Sequence, residues 1–132
     1  MQAQCQCGEI KAGVAGAGVG VMCHCKACQR RSGGPFGMMV YFNADAVEIS
    51  GDPTEFTRTA DSGNEVTTGF CPVCGSTLYL RTALHPGGIG IAVGAIEGSA
   101  SVPPVRSVFE ENRHDWIAVP TTSQSFPRGR NS

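Results

Sequence analysis

Seven cysteines in 132 residues, gathered into three tight groups, constrain this chain more than any other feature. Cys5 and Cys7 form the first group, Cys23, Cys25 and Cys28 the second, and Cys71 and Cys74 the third. An odd count argues against a pure disulfide framework. Cysteines one or two positions apart strain any bridge between themselves, yet they hand a tetrahedral metal two thiolates from a single turn. Zinc is the metal this donor set suits best, ahead of an iron–sulfur cluster or of redox and structural thiols.

The rest of the composition narrows the setting. A chain of this length makes one domain with a modest core. Charged residues are 16% of it, against about 25% in an average domain, while 41% is hydrophobic, which excludes a disordered chain, a coiled coil or a polybasic arm. Ten basic and eleven acidic side chains leave a net charge of −1, so no bulk field recruits nucleic acid or an anionic membrane. The apolar run Ile89 to Ile96 is far short of the ~20 residues a spanning helix needs. Cys5 follows the start directly, without a basic stretch and an apolar run, so the reading is of a chain with no signal peptide, placed in the cytoplasm.

Short apolar runs punctuated by turn residues predict a mainly β fold. Ile10 to Val14 and Val19 to Met22 read as strands flanking a Gly16-Ala17-Gly18 turn. Met38 to Phe42, Ala46 to Ile49, Glu55 to Thr59, Val66 to Phe70, Thr77 to Thr82 and Ile89 to Ile96 continue the series. Lys26 to Ser32 reads as one short helical turn, stopped by Gly33-Gly34-Pro35. Residues 1–120 are expected to form the zinc-binding domain. Residues 121–132 read as a polar tail, with Phe126 its one anchor.

Cys71-Pro72-Val73-Cys74-Gly75 reads as a zinc-knuckle turn, in which Gly75 permits the positive φ that aims backbone N–H groups at sulfur. Cys7-Gly8 repeats the cysteine–glycine ending, and the two half-sites together make a closed four-sulfur site of structural type. Cys23-His24-Cys25-Lys26-Ala27-Cys28 supplies three thiolates by itself. Two tetrahedral sites then lack one protein donor, and a three-ligand zinc with an open position is what catalysis or substrate binding uses. Other arrangements satisfy the spacing too. His24 can fold back to fill the gap, or His85, His114, Asp61 or Glu65 can close it. Alternatively, Cys23 joins Cys71 and Cys74 while Cys25 and Cys28 join Cys5 and Cys7.

The order Cys5-x-Cys7-Gly8, Cys23-His24-Cys25-x-x-Cys28-Gln29-Arg30, Phe70-Cys71-x-x-Cys74-Gly75-Ser76 resembles the glutathione-dependent formaldehyde-activating enzyme family, which also holds centromere protein V. Ser32-Gly33 before Pro35-Phe36, Val93-Gly94, and Trp116 after Arg113 add to the likeness, which runs from Cys5 to about Phe126. The resemblance implies a β-tent, a single domain of small antiparallel sheets around zinc. It implies two zinc ions per chain: a structural one on Cys5, Cys7, Cys71 and Cys74, and a catalytic one on Cys23, Cys25 and Cys28. It also implies a carbon–sulfur lyase, with glutathione adding through sulfur to formaldehyde to give S-hydroxymethylglutathione. Zinc would there hold the glutathione thiol as thiolate or polarise the aldehyde oxygen. Three thiolates leave the site at −1, which favours the thiolate-carrying role.

Glutathione carries two carboxylates, so arginines are expected near the mouth of the site: Arg30 and Arg31 beside the triad, with Arg81 and Arg113 as further candidates. A non-catalytic zinc module recognising a thiol or protein partner is the alternative reading. Met38 and Met39 read as core filler, Trp116 and Phe109 as caps on a core edge, and Glu110 to Asp115 as a solvated loop.

Overall fold

A computed structural model describes residues 1–97 and 102–132. Two sheets carry it. The smaller has the strand order β1-β2-β5, built from β1 (Gln2–Gln4), β2 (Lys11–Val14) and β5 (Val47–Ser50), all antiparallel. The larger has eight strands in the order β11-β10-β3-β4-β9-β8-β7-β6. Its members are β3 (Val19–Cys23), β4 (Gly37–Asn43), β6 (Thr54–Thr59), β7 (Glu65–Phe70), β8 (Thr77–Thr82), β9 (Gly88–Ala92), β10 (Pro104–Val108) and β11 (Gln124–Ser125). The one α-helix among the described residues, α1 (Lys26–Ser32), stops where Gly33 takes a left-handed conformation and returns its N–H to the Gln29 carbonyl.

The domain is mainly β, as the turn-punctuated sequence implies. Its large sheet is mixed, because β10 runs parallel to both β3 and β11 while the other pairings are antiparallel. The strand expected over Ile89 to Ile96 ends at Ala92, and Val93–Ala95 turns instead as a 3-10 helix. β1, β10 and β11 have no counterpart among the expected strands. Ser125 is held at its register with Ser107, and the Phe126 N–H donates to the Ser107 carbonyl at 2.9 Å, so this part of the C-terminal stretch is tied to the sheet.

Side-chain alternation along β4 divides the interior. Val40 and Phe42 point into the main core, between the two sheets, with Ala3, Ile10, Ala12, Leu78, Ile89 and Ile91. Met39 and Tyr41 point the other way, into a smaller cluster with Val66 and Leu80. Gly90 lies between β4 and β8 on that second face, and the Tyr41 ring packs where a Gly90 side chain would stand. Met39 is core, as expected, and Met38 is half-buried.

Tyr79 uses a second such vacancy, with its ring against Gly69 on the neighbouring strand while its hydroxyl donates to Glu55 at 2.7 Å. A methyl at residue 69 collides with the ring. Gly69→Ala should therefore destabilise the protein by about 1–3 kcal/mol, the cost typical of overpacking, read as a lowered urea midpoint with unchanged slope.

Candidate metal centres

The first half of one cysteine cluster sits just past the end of β1. Cys5 is buried and Cys7 exposed, and the turn between them closes with a Gly8 N–H to Cys5 carbonyl bond of 3.1 Å. The second half is the turn from β7 to β8, where Cys71 and Cys74 stand. Gly8 and Gly75 hold φ of 82° and 79°, which side chains avoid. The halves are stitched by Ser76: its carbonyl accepts from the Cys71 N–H at 2.9 Å, and its hydroxyl accepts from the Gln6 N–H at 3.1 Å.

Sulfur–sulfur distances test this set against zinc. A zinc–sulfur bond of about 2.3 Å in a tetrahedron implies sulfurs about 3.8 Å apart. Cys5 and Cys7 are at 3.8 Å and Cys7 and Cys71 at 3.7 Å, and all four sulfurs lie within 4.8 Å of one another. Backbone N–H groups reach them as well: Ile10 to Cys5 at 3.3 Å, Val73 to Cys71 at 3.4 Å and Cys74 to Cys71 at 3.5 Å. The Ser76 hydroxyl, 3.3 Å from Cys74 Sγ, helps pull that thiol down to about 5. The residues fit a four-coordinate metal.

The second cluster holds Cys23, Cys25 and Cys28, again within 4.8 Å of one another. Cys23 ends β3, Cys25 is the N-cap of α1, and Cys28 lies in the first helical turn, its N–H donating to Cys25 Sγ at 3.4 Å. The sulfur that caps the helix is thus also one of the three that could hold a metal. Thiols this close cannot all ionise unaided. Side-chain hydrogen bonds from Cys23 and Cys28 pull Cys25 down, while Cys25, Cys28 and burial push Cys23 up. A divalent cation relieves that conflict, so this donor set also fits a metal.

The clusters exclude the crossed partition of cysteines, and among the described residues no fourth side chain joins the triad. His24 does not fold back. Its ring is fully buried on the other side, with Nε2 2.9 Å from Ser107 Oγ. Burial lowers its pKa, which favours the neutral ring, and its Nδ1 has no hydrogen-bond partner. His85 stacks on Tyr41 with ring centroids 4.2 Å apart, and His114 Nε2 lies 3.0 Å from Gln29 Oε1. Neither these rings nor Asp61 or Glu65 belong to the group.

The triad loop is braced from β10 and the turn after it. The His24 N–H donates to the Val108 carbonyl at 3.0 Å, and Gln29 Nε2 donates to the His24 carbonyl at 2.8 Å and the Asn112 carbonyl at 3.3 Å. The segment expected as a solvated loop therefore takes part in packing. Side chains of Glu110 and Arg113 are only 19% and 33% exposed and lie 3.3 Å apart. Burial works against ionisation of Glu110, but the hydroxyls of Ser107 and Ser125 and the charge of Arg113 outweigh it and lower the pKa. Trp116 does not cap the core. It is 73% exposed, stacked on His114, because the chain here leaves the sheet. Phe109 is half-buried at a positive φ of 58°.

Of the candidate arginines, two are already engaged. Arg81 pairs with Glu55 at 2.9 Å over the Tyr79 ring, and Arg113 donates to the Ile117 carbonyl at 2.6 Å beside Glu110. Arg30 is exposed on α1. Arg31 is half-buried, and a methyl placed on Gly37 would stand 2.5 Å from Arg31 Nη2 and 3.1 Å from Cys28 Cβ, which puts guanidinium and cysteine on either side of one small gap. Arg31 also borders a cleft of about 650 Å³, whose wall includes Ser32, Gln4, Gln6 and Ser76 and reaches Cys5 of the other cluster.

With the sites in view, comparison with known proteins decides the family. The model of the glutathione-dependent formaldehyde-activating enzymes matches residues 1–112. The chain belongs to that family. A crystal structure of a Rhodobacter sphaeroides protein, a structural-genomics target, is similar with a TM-score of 0.59 at 19% identity, covering 74% of this chain and 89% of that one. That likeness shows the fold. No curated protein matches. Among the described residues no helix is long and apolar enough to cross a membrane.

The brace yields a test. Ser107→Ala strips the buried imidazole of its partner and should cost about 1–3 kcal/mol, the penalty for an unsatisfied buried polar group, measured by urea unfolding of the metal-loaded protein.

Proposed function

We propose that this chain is a zinc-dependent carbon–sulfur lyase of the S-(hydroxymethyl)glutathione synthase type, with one structural and one catalytic zinc. The observation that carries the reading is the unequal pair of clusters. Cys5, Cys7, Cys71 and Cys74 offer four sulfurs, whereas Cys23, Cys25 and Cys28 offer three. Membership of the family supplies the substrate class: glutathione and formaldehyde.

Zinc bound by three thiolates would supply an open position that holds an external thiol in its thiolate form. The protein's own part is to bind and orient. Arg31, beside Cys28, presents a guanidinium fork suited to a carboxylate of the substrate, and Arg30 stands one residue before it on α1. The cleft bordering Arg31 offers amide and hydroxyl groups from Gln4, Gln6, Ser32 and Ser76 for a peptide backbone. In the synthetic direction the thiol sulfur bonds to the aldehyde carbon, the carbon–oxygen π bond opens, and the proton passes to oxygen. The lyase direction reverses each change.

Two zinc ions per chain are expected by metal analysis, the three-sulfur site losing its ion first to a chelator. Cys74→Ser should unfold or aggregate the protein, since binding energy at a closed site is folding energy. Cys25→Ser should stay folded, because serine is itself a good N-cap for α1. Thermal melts showing equal damage would overturn the division of roles.

Activity needs a rate, because glutathione and formaldehyde combine spontaneously. Magnetisation-exchange NMR should show exchange between free and adducted glutathione above background with the wild type, and no excess with Cys25→Ser. Thiol binding without acceleration would make the protein a non-catalytic zinc module.

A further inference from the structure

Gln29 follows the last cysteine of the triad, and both ends of its side-chain amide are engaged. Its Nε2 donates to the His24 carbonyl at 2.8 Å and to the Asn112 carbonyl at 3.3 Å, and its Oε1 lies 3.0 Å from His114 Nε2. Two carbonyl oxygens at one end of the amide require the nitrogen there, because an oxygen in that place would repel both. The other end is then a pure acceptor, which makes the N–H at His114 Nε2 the donor. The contacts themselves thus set the amide orientation and the ring nitrogen that donates.

What Gln29 grips is the link between two ligands. The His24 N–H is already taken by the Val108 carbonyl at 3.0 Å, so both peptide planes joining Cys23 to Cys25 are held from behind, one by β10 and the other by Gln29. His114 is held in turn. The Ile117 N–H donates to the His114 carbonyl at 3.0 Å, and Arg113 Nη1 donates to the Ile117 carbonyl from beside Glu110. This turn lays the Trp116 ring on the imidazole, with centroids 5.6 Å and planes 22° apart. Trp116 is largely exposed, so its ring covers one face of the half-buried imidazole instead of filling the core.

We infer that His114 is a positioning residue for the three-cysteine site: its Nε2–H holds the Gln29 amide in the one orientation that fixes the His24–Cys25 peptide, and with it the spacing of the Cys23 and Cys25 sulfurs. The inference rests on the function proposed above, in that the site holds a metal, and adds to it a residue 85 positions from Gln29 in sequence. An amide released at Oε1 is free to turn over, and the turned amide no longer donates to the His24 carbonyl. The competing role for His114 is to anchor its own turn by stacking on Trp116. The two roles need different parts of the ring, an N–H for positioning and an aromatic face for stacking.

The test is zinc release to a chromogenic chelator from zinc-loaded wild type, His114→Phe and His114→Gln, with visible spectra of the cobalt-substituted proteins alongside. Phenylalanine keeps an aromatic face and loses the N–H, whereas glutamine returns an N–H without the face. In His114→Phe the three-sulfur site should hold its ion about tenfold less tightly, the loss typical when a group that orients a metal ligand is removed. Its cobalt bands should shift, while the four-sulfur site and the circular dichroism keep wild-type values. His114→Gln should recover most of the loss. In a Gln29→Leu background His114→Phe should add nothing, because the residue acts through Gln29; a further loss there overturns the inference. Wild-type release from the three-sulfur site of His114→Phe also overturns it and leaves the lyase reading standing. Equal loosening of both sites, or equal damage from the two substitutions at 114, overturns it in favour of the stacking role. If the wild type binds only one zinc, the proposed function itself fails and this inference goes with it.

Discussion

The meeting of residues 5–7 with residues 71–74 is the contact on which the rest of this structure hangs. It joins the edge strand of the small sheet to a hairpin turn of the large one, with Cys7 and Cys71 sulfurs 3.7 Å apart across 64 positions of chain. The main core lies between those sheets, and its apolar side chains come from both. Charge makes the junction conditional. Thiols at tetrahedral spacing repel one another once ionised, so the cluster is comfortable only around a cation, and a cation there is worth folding energy.

The second cluster obeys the same electrostatics with different mechanical support. All its sulfurs come from one short segment, so it closes no long loop. What fixes it is a layer of hydrogen bonds behind it: His24 to Ser107, and Gln29 to the His24 and Asn112 carbonyls. These come from β10 and the turn after it. Such bracing fixes the positions of the three sulfurs independently of any metal.

Glycine shapes the face on which that centre lies. Tyr41 packs over Gly90, which lets β4 and β8 side chains meet and curls the sheet around the cluster of Met39, Leu80 and Val66. Gly37 works in the same way beside the centre, leaving room for the Arg31 guanidinium next to Cys28.

Cysteine spacing alone determined which residues could be ligands, and alternating apolar runs determined the strands from β2 through most of β9, because both are local patterns of period two to four. β1, β10 and β11 escaped that reading: Gln2–Gln4 carries one apolar residue, β10 opens on a proline, and β11 is two polar residues. Their strand character comes from partners across the sheet. Tertiary structure decided how seven sulfurs divide into four and three, since several partitions satisfy the same spacing and only chain packing sets distances. It also decided that His24 turns away from the triad, and that Arg81 and Arg113 are taken by glutamates. Those outcomes depend on strand register and sheet curvature, which are long-range properties that no short stretch of sequence encodes.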